Sequence, residues 1–260
     1  MISKLFPAGA IDLNMREEEI EVEVGAIIVA TGWRPYDAAK LDNLGFGKFR
    51  NVITNVMMER LAAREGPTGG ELNRPSDGKK AEQVAFVQCA GSRDENHLPY
   101  CSAVCCMASL KQVRYLREKN PDSRATVFYI DIRTVGRLEK FYYSMLEDEK
   151  VTFIRGKVAK IAEERESGNL IVEAEDTVSG RKLHAGFDMV VLATGVVPNT
   201  ADVKIPFPLK YDAYGFIDGT TEIPGIYAAG CAKRPCDVAR STKDATAAAL
   251  KAVQCLNRGE

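Results

Sequence analysis

The sequence lacks any long hydrophobic segment. Its longest uninterrupted apolar stretches are Ala26–Ala30, Ala103–Ala108 and Met189–Ala193, and each is far shorter than the roughly 20 residues of a membrane-spanning helix. The opening residues, MISKLFPAGAIDLN, contain neither the apolar core nor the cleavage site of a secretory signal. We therefore expect no membrane span and a cytoplasmic location.

An excess of charge of either sign is also absent. The 260 residues include 35 Lys and Arg and 36 Asp and Glu, for a net charge of −1, whereas a nucleic-acid-binding protein usually carries a basic excess. Only two histidines occur, His97 and His184, and no Ser-His-Asp set or pair of carboxylates is evident. Neither nucleic-acid binding nor hydrolysis is an expected function of this chain.

Cysteine is plentiful by comparison, yet none of the seven cysteines forms a C-x-x-C motif. Four of them, Cys89, Cys101, Cys105 and Cys106, lie close together in the segment QCAGSRDENHLPYCSAVCC. Four buried small residues, a zinc site and a strained disulfide between Cys105 and Cys106 are alternative interpretations. A [4Fe–4S] cluster agrees best with this spacing, because it needs four thiolates and tolerates variable separations.

The surrounding sequence predicts how these thiols come together. Gln83–Gln88 has the composition of a buried strand, and a helix is predicted over Tyr100–Lys119. A helix over this range places Cys101 and Cys105 on one face. Cys89 then reaches the same place from the end of the strand, and the positive end of the helix faces the anionic cluster.

Two predicted strands end in the same three residues, Ala-Thr-Gly. One is Glu19–Thr31, an alternating stretch that continues into an uninterrupted apolar one, and the other is Asp188–Gly195. Helices are predicted at Val52–Arg64, Tyr100–Lys119, Arg137–Glu149 and Ser241–Asn257, and further strands at Gln83–Gln88, Thr126–Ile132, Val151–Ile154, Val158–Glu163, Leu170–Glu175 and Lys182–His184. Ser241 or Thr242 is the expected N-cap of the last helix. This order predicts an α/β, Rossmann-like dinucleotide-binding fold.

The turn after the predicted strand Gln83–Gln88 lacks the sequence of a nucleotide-binding site. A dinucleotide-binding domain places G-x-G-x-x-G there so that a pyrophosphate can approach the backbone. Here Cys89–Asp94 reads CAGSRD and contains one glycine. We therefore expect a cluster in the space of the phosphates and no binding of NADH or NADPH.

Longer segments carry a family resemblance. Ile223–Cys231, IPGIYAAGC, is similar to the strand that meets the ribityl chain in two-dinucleotide-domain flavoproteins, and together with the Ala-Thr-Gly strands it resembles the flavoprotein disulfide reductase superfamily, of the thioredoxin and glutathione reductase type. AIIVATGWRPYD, NVITNVMMERL, GPTGGELNRPSDGK, VAFVQCAGSRDENHLPYCSAVCCMASLKQ and TVFYIDIRT resemble the A-type subunit of heterodisulfide reductase. NHLPYCSAVCC and AAGCAKRPCDVA look most like the A-type subunit of the quinone-interacting membrane-bound oxidoreductase of sulfate reducers.

This resemblance implies an electron-transfer oxidoreductase subunit that binds FAD and a non-standard [4Fe–4S] cluster. The implied cluster ligands are Cys89, Cys101, Cys105 and Cys106, and the implied FAD contacts are Thr31, Gly32, Thr194, Gly195, Gly230, Cys231, Val238 and Ser241. The implied partners are a heterodisulfide-reductase-like flavoprotein and a membrane subunit that reacts with quinone, with adenylylsulfate reduction as the process served. The chain is then cytoplasmic and reaches the membrane through these partners.

Two departures from the family pattern affect the expected domains. The G-x-G-x-x-G unit that holds the FAD pyrophosphate is not found, so the chain is expected to begin inside an incomplete FAD domain, and Cys231 stands where wider flavoproteins have Asp. The predicted domains are FAD-domain portions at 1–35 and 196–260, a connecting segment at 36–80, and a nicotinamide-domain-like module with the cysteines at 81–195. The alternative functions are an NAD(P)H-dependent FAD disulfide oxidoreductase and a non-catalytic subunit stabilised by its metal.

A few residues outside the implied site also have expected roles. Arg93 and Arg114 are candidates to balance the charge of the cluster, although a solvated surface position is the more ordinary role of an arginine. Cys236 is expected to be structural or adjacent to the flavin. Cys255, on a helical face with alanines, is expected to pack in the core.

Overall fold

A computed structural model describes residues 12–219 and 223–258. In chain order its strands and helices are β1 (Ile27–Val29), β2 (Trp33–Pro35), β3 (Val52–Thr54), α1 (Asn55–Ala62), β4 (Gln83–Ala90), α2 (Cys105–Lys119), β5 (Arg124–Tyr129), α3 (Glu139–Leu146), β6 (Val151–Arg155), β7 (Val158–Glu163), β8 (Leu170–Asp176), β9 (Arg181–Phe187), β10 (Met189–Thr194), β11 (Val196–Pro198), β12 (Ile226–Ala228) and α4 (Val238–Arg258). Strands and connecting helices alternate through the first half, as the sequence predicts. The α/β class is confirmed.

The central sheet has five parallel strands in the order β3-β10-β4-β5-β6. The side chains along each strand alternate between two hydrophobic cores, because successive side chains of a strand point to opposite faces of the sheet. In β10, Met189 and Val191 pack with residues of α1 and α2, whereas Val190 and Leu192 pack with residues of the β7–β9 meander. This two-sided burial explains why β10 is uninterruptedly apolar in sequence.

Three smaller sheets surround the central one. β7, β8 and β9 form an antiparallel meander, β2 pairs with β11, and β1 pairs in parallel with β12. The small core around β1 and β12 contains Val29, Ile217, Ala228 and Ala232, while α4 buries Ala248, Ala252 and Cys255 on one face. The expected packing role of Cys255 agrees with this burial.

The structure corrects several predicted elements. The alternating residues 19–24 are exposed and pair with no strand among the described residues, so the first strand is only Ile27–Val29. The predicted helix Val52–Arg64 begins as β3, because Val52–Thr54 pairs with β10, and becomes helical at Asn55. Thr54 caps α1 by accepting from the Met57 backbone N–H at 3.3 Å.

The third correction concerns the N-terminus of the last helix. α4 begins at Val238, and Asp237 accepts from the Arg240 backbone N–H at 2.8 Å in the manner of an N-cap. Ser241 and Thr242 lie inside the helix, where the Thr242 hydroxyl donates to the Val238 carbonyl. The prediction that either of them is the N-cap is therefore wrong.

The described helices include none that combines the length and apolar character needed to cross a membrane. The central sheet draws on more of the chain than the predicted module 81–195, because β3 comes from the predicted connecting segment 36–80. The boundaries proposed for the domains stay a prediction.

Candidate metal and cofactor site

Cys89 lies at the carboxyl end of β4, in the middle of the parallel sheet. Its backbone has φ of 55°, a left-handed conformation that is uncommon for a residue other than glycine. The pairing of β4 with β10 also shifts register next to it, between Leu192 and Thr194. The strand is therefore irregular at the carboxyl end of the sheet, where its buried thiol lies. The carboxyl ends of the strands are where α/β proteins bind ligands.

The loop that carries Cys101 is held by a serine pair. Ser92 Oγ and Ser102 Oγ lie 2.8 Å apart and are buried, and Ser102 Oγ also accepts from the Val196 backbone N–H at 2.9 Å. Ala103 follows with φ of 63°, which no α-helix accommodates. Cys101 consequently precedes α2, so the predicted helix Tyr100–Lys119 is wrong at its start and Cys101 shares no helical face with Cys105.

Cys105 and Cys106 occupy the first two positions of α2. The Cys105 thiol lies 3.6 Å from the Thr194 carbonyl oxygen, and the Cys106 thiol lies 3.7 Å from the Asp131 carbonyl oxygen. These carbonyls belong to the end of β10 and to the loop after β5, the two neighbours of β4 in the sheet. The helix start is thereby fixed over the same sheet edge as Cys89.

The four thiols are close enough to influence one another electrostatically. Burial raises the pKa of Cys89 to about 11, with a further contribution from Cys106. Burial also raises the pKa of Cys105, and the nearby charges of Cys89, Cys106 and Cys101 add to that rise. Because a cation relieves both penalties, deprotonation of these thiols is favoured by a bound metal.

Two arginines and one aspartate lie beside the thiols. Arg93 contacts Asp131 at 2.5 Å, and Arg133 contacts the same carboxylate at 3.4 Å. The positive charge of Arg93 lowers the pKa of Cys89 against the larger effect of burial, and the Arg133 backbone N–H donates to the Cys106 sulfur. Arg93 is therefore near the thiols as expected, while Arg133 was not identified from the sequence.

Arg114 lies elsewhere. It pairs with Glu118 at 3.8 Å and sits over the Phe141 ring at 5.6 Å, so these contacts give it a structural role on α2. Nothing in its contacts connects it to the cysteines.

The four thiols have the donor chemistry of an iron–sulfur cluster. Within the described ranges, no three His, Cys, Asp or Glu side chains converge closely enough for one metal ion. A [4Fe–4S] cluster binds each thiolate through a different iron, so its ligands stand further apart. Two buried polar groups nearby also lack hydrogen-bond partners, the Gln88 amide beside Cys89 and the Ser109 hydroxyl one turn after Cys105, which is unusual for buried polar atoms.

The first Ala-Thr-Gly motif lies at the end of β1. Gly32 adopts φ of 72°, and the Asn199 side chain donates to the Thr31 carbonyl at 2.7 Å. The second motif lies against the cysteine loop instead. A Cβ on Gly195 would stand 2.5 Å from Ser92 Oγ, and the Thr194 hydroxyl contacts Asn55 Oδ1 at 3.1 Å. The structure thus separates the two copies of one sequence motif into two environments.

The remaining predicted flavin residues cluster around the start of α4. Gly230, with φ of 64°, donates its N–H to Asp244 at 2.8 Å. Burial alone raises the pKa of Asp244, but hydrogen bonds from Lys233 and the Gly230 N–H outweigh it and lower that pKa. The Ser241 hydroxyl lies 3.2 Å from the Cys236 sulfur.

Cys231 and Cys236 form a pair that is not predicted from the sequence. Their sulfurs are 3.7 Å apart and both residues are buried. The two cysteines are five positions apart and so do not form a C-x-x-C motif. The only indication of the pair in the sequence is the second cysteine of the segment AAGCAKRPCDVA. The pair lines a cavity of about 380 Å³ whose other walls include Trp33, Val104 and Val238.

This cavity lies between the two groups of predicted site residues. Val104 and Ala108, on either side of Cys105 and Cys106 in sequence, belong to one wall, and Cys231, Val238 and Ser241 belong to another. Trp33 also lines the cavity and is 39% exposed.

The Tyr36 ring packs against the glycine of the turn after β4. Gly91 adopts φ of 78°, and a Cβ there would stand 2.8 Å from the Tyr36 ring. The Tyr36 hydroxyl is in turn 2.9 Å from His97 Nδ1. This ring covers the backbone that a pyrophosphate would need to approach.

Comparison with known proteins adds family evidence to this geometry. No protein-family model matches the chain. The chain is 41% identical, over 97% of its length, to the second iron-sulfur A-type subunit of CoB–CoM heterodisulfide reductase of Methanopyrus kandleri. It is 39% identical over 98% of its length to the A-type subunit of the ferredoxin/F420H2-dependent CoB–CoM heterodisulfide reductase of Methanosarcina acetivorans. The chain is a homologue of the A-type subunit of heterodisulfide reductase.

The match to these heterodisulfide reductase proteins covers part of the relatives' length. The chain spans 40% of the Methanopyrus kandleri protein and 33% of the Methanosarcina acetivorans protein. Among solved structures, thioredoxin reductase of Lactococcus lactis has a TM-score of 0.56 at 18% identity, covering 90% of this chain and 66% of that one. Thioredoxin reductase of T. acidophilum gives 0.55 at 17% identity. These likenesses confirm the Rossmann-like fold predicted for the chain.

Proposed function

We propose that this chain is part of an oxidoreductase subunit that relays electrons between FAD and a [4Fe–4S] cluster. One observation carries the proposal: Cys89, Cys101, Cys105 and Cys106 gather at the carboxyl edge of the central sheet, in a homologue of proteins named as iron-sulfur subunits of heterodisulfide reductase. The FAD assignment draws on the sequence resemblance and on the flavoprotein type of fold.

Each part of the proposed ligand set comes from a different local structure. Cys89 comes from the bent end of β4, Cys101 from the serine-fixed loop, and Cys105 and Cys106 from the first turn of α2. Once bound, the cluster supplies reversible one-electron transfer. The backbone N–H groups at the start of α2 favour negative charge there.

The proposed FAD contacts are divided between two regions. Thr31 and Gly32 follow β1, while Gly230, Cys231, Val238 and Ser241 surround the start of α4, and flavin supplies exchange of one or two electrons when bound. Thr194 and Gly195 complete the proposed set from the cysteine side. The Asn199 side chain fixes the Thr31 carbonyl and so positions the first region.

The proposed partners are other components of a heterodisulfide-reductase-like complex. The finer assignment is the quinone-interacting type, in which a membrane subunit reacts with quinone and the electrons serve adenylylsulfate reduction. It draws on the segments NHLPYCSAVCC and AAGCAKRPCDVA. We place the chain in the cytoplasm, where its seven thiols stay reduced, in contact with the membrane through its partners.

An NAD(P)H-dependent disulfide reductase is not favoured. The relatives at about 40% identity are heterodisulfide reductase subunits, and Tyr36 covers the turn where a nicotinamide dinucleotide would bind. A purely structural metal site makes a different prediction, because its cluster would not change oxidation state.

Anaerobic purification followed by iron and sulfide analysis tests the proposal. We expect about four irons and four sulfides per chain after reconstitution. Reduction with dithionite is expected to bleach the visible absorbance and to produce a paramagnetic signal. Iron that is present but not reducible would support the structural alternative, and absence of bound iron and sulfide would contradict the cluster.

A further inference from the structure

We propose that Cys231 and Cys236 form a redox-active dithiol, a second redox site that exchanges with small disulfides. The two sulfurs already lie 3.7 Å apart, and a disulfide bond is about 2.05 Å long, so closure requires an approach of roughly 1.7 Å. Neither thiol belongs to the proposed cluster ligands. The dithiol does not depend on the cluster, but Cys231 is also a proposed FAD contact, so the dithiol lies on the flavin side of the proposed site.

The local structure permits that approach. Cys231 lies in a single 3-10 turn, Gly230–Ala232, and Cys236 lies in the short connection between that turn and α4. No regular hydrogen-bond ladder holds Cys236, which follows Pro235 and precedes the N-cap Asp237. Both side chains can therefore shift without breaking a strand or a helix.

The cavity beside the pair gives a reagent access. It measures about 380 Å³ and is lined by both cysteines together with Trp33, Val238 and Ser241, and this volume falls in the range of small-molecule sites. Val238 is 83% exposed and Trp33 39% exposed, so the cavity reaches the surface of the chain. Its walls also include the charged side chains Glu59, Lys111 and Asp237, and this mixture of apolar and charged groups suits a small charged organic disulfide such as that of glutathione.

We assign Cys236 as the attacking thiol because a hydroxyl group lies beside its sulfur. The Ser241 hydroxyl lies 3.2 Å from its sulfur and stabilises the thiolate against the larger opposing effect of burial. The Cys231 thiol, which also contacts the Cys236 carbonyl at 3.4 Å, then acts as the resolving group. Exchange chemistry requires this combination of an attacking and a resolving thiol.

The reaction balances with a disulfide R–S–S–R as the oxidant. The Cys236 thiolate attacks one sulfur, which breaks the R–S–S–R bond, forms a mixed disulfide and releases the first thiol. The Cys231 thiolate then attacks the Cys236 sulfur, forms the intramolecular disulfide and releases the second thiol. Two protein thiols are oxidised, one external disulfide is reduced, and the two protons leave on the two released thiols.

Differential alkylation of the anaerobically purified full-length protein tests the proposal. The protein is equilibrated with glutathione buffers from fully reduced to fully oxidised, quenched in acid, alkylated and analysed by peptide mass spectrometry. We expect Cys231 and Cys236 to oxidise together and reversibly, with the two-electron slope of a dithiol. Cys255, buried on the far part of α4, serves as the internal control and is expected to stay reduced.

A resolving-thiol variant tests the proposed order of attack. In Cys231→Ser, a glutathione mixed disulfide on Cys236 is expected to accumulate on the order of tenfold above wild type, because nothing resolves it. Cys255→Ser is expected to behave as wild type. If Cys231 and Cys236 of the wild-type protein remain alkylatable thiols in fully oxidised glutathione, the proposal is wrong whatever the variants do.

This result is independent of the proposed function. The mass measurement follows the Cys231 and Cys236 peptides alone, whereas iron analysis reports on the four proposed cluster ligands. A protein without iron but with a reversible 231–236 disulfide would contradict the proposed function and support the dithiol. The opposite pattern would contradict only the dithiol.

Discussion

At the scale of single residues, Cys105 shows what the fold requires of a proposed ligand. Its sulfur is buried and lies 3.6 Å from the Thr194 carbonyl. Serine at this position keeps the size but not the soft thiolate that iron prefers. The three remaining thiols then leave the cluster without its fourth protein ligand.

We therefore predict that Cys105→Ser and Cys101→Ser each lose most of the bound iron. Cys255→Ser, a buried cysteine of α4, is the matched control and is expected to keep wild-type iron content. Iron and sulfide are measured on the folded fraction after anaerobic reconstitution and gel filtration. Full iron content in either of the first two variants would exclude that cysteine from the ligand set.

Gly195 makes a prediction about packing rather than chemistry. A methyl group there would stand 2.5 Å from Leu98 Cδ1 and from Ser92 Oγ, which disturbs the Ser92–Ser102 pair. We expect Gly195→Ala to lower the free energy of unfolding by about 1–3 kcal/mol. The measurement is urea denaturation followed by circular dichroism.

Gly186→Ala is the control for that substitution. Gly186 lies in β9, and the atom nearest to an added Cβ there is 3.9 Å away, an ordinary contact. We expect no loss of stability in this variant. Equal destabilisation by the two substitutions would mean that the close approach at Gly195 relaxes without cost.

At the scale of elements, Arg117 connects the end of α2 to the strands that follow it. Its guanidinium donates to Asp148 at 2.8 Å and to the Pro121 and Ser123 carbonyls at 2.6 and 2.8 Å. The hydrogen bond from Arg117 lowers the pKa of Asp148 below its ordinary value. A single side chain thus fixes the entry to β5 and the entry to β6.

This contact predicts a pH-dependent stability difference. Because the folded-state pKa of Asp148 lies below the unfolded one, its stabilising effect is complete above the unfolded value and is lost as the pH falls through the folded value. We expect Asp148→Asn to lower the free energy of unfolding by about 1 kcal/mol at pH 7. The difference from wild type should shrink as the pH falls below about 4, the unfolded-state pKa of an aspartate.

Denaturation at a series of pH values measures this difference. Asp122→Asn is the control, because Asp122 is 96% exposed and its pair with Lys150 at 3.2 Å is open to solvent. It is expected to show no measurable change at either pH. A pH-independent effect of Asp148→Asn would assign the contact to shape and not to charge.

The sequence predicts most elements of this fold because their patterns are local. β7 and β8 match the predicted strands almost residue for residue, and β8 alternates between buried and more exposed positions along most of its length. The start of α2 does not match, because Ala103 has no sequence signal for its left-handed backbone and is fixed by distant contacts of Ser102. Short-range patterns carry no information about such contacts.

The same contrast between local patterns and distant contacts applies to the candidate site. The cysteine cluster is visible in sequence because its four members are close along the chain. The Cys231–Cys236 contact and the role of Arg133 are not, since each depends on how a loop folds back. The two Ala-Thr-Gly motifs look alike in sequence, but β1 and β10 belong to different sheets, which gives the motifs different neighbours.

At the scale of the whole molecule, the turn after β4, with its single glycine and the Tyr36 ring against it, predicts the choice of electron donor. Tyr36 packs over Gly91 at the sheet edge where a dinucleotide would bind, and the turn offers one glycine. We predict that neither NADH nor NADPH reduces the purified protein directly. Stopped-flow absorbance with each nucleotide under anaerobic conditions is the measurement.

A variant distinguishes the two reasons for this prediction, which are the Tyr36 ring over the turn and the lack of further glycines in the turn. Tyr36→Ala removes the ring but leaves Cys89–Asp94 unchanged, so we expect nucleotide reduction to remain absent. Reduction of the wild-type protein at a catalytic rate would contradict the interpretation of this turn. Reduction of Tyr36→Ala alone would show that the ring, and not the lack of glycines, keeps the nucleotide out.

The position of β10 has a consequence for how the protein is made. This strand lies between β3 and β4 in the sheet, yet it is encoded long after both of them. While a ribosome synthesises the chain, β3 and β4 each present an unpaired apolar edge until residues 189–194 emerge, and such edges promote aggregation. Nascent chains that stall before Met189 are therefore expected to depend on chaperones, whereas chains released after Thr194 can close the sheet themselves.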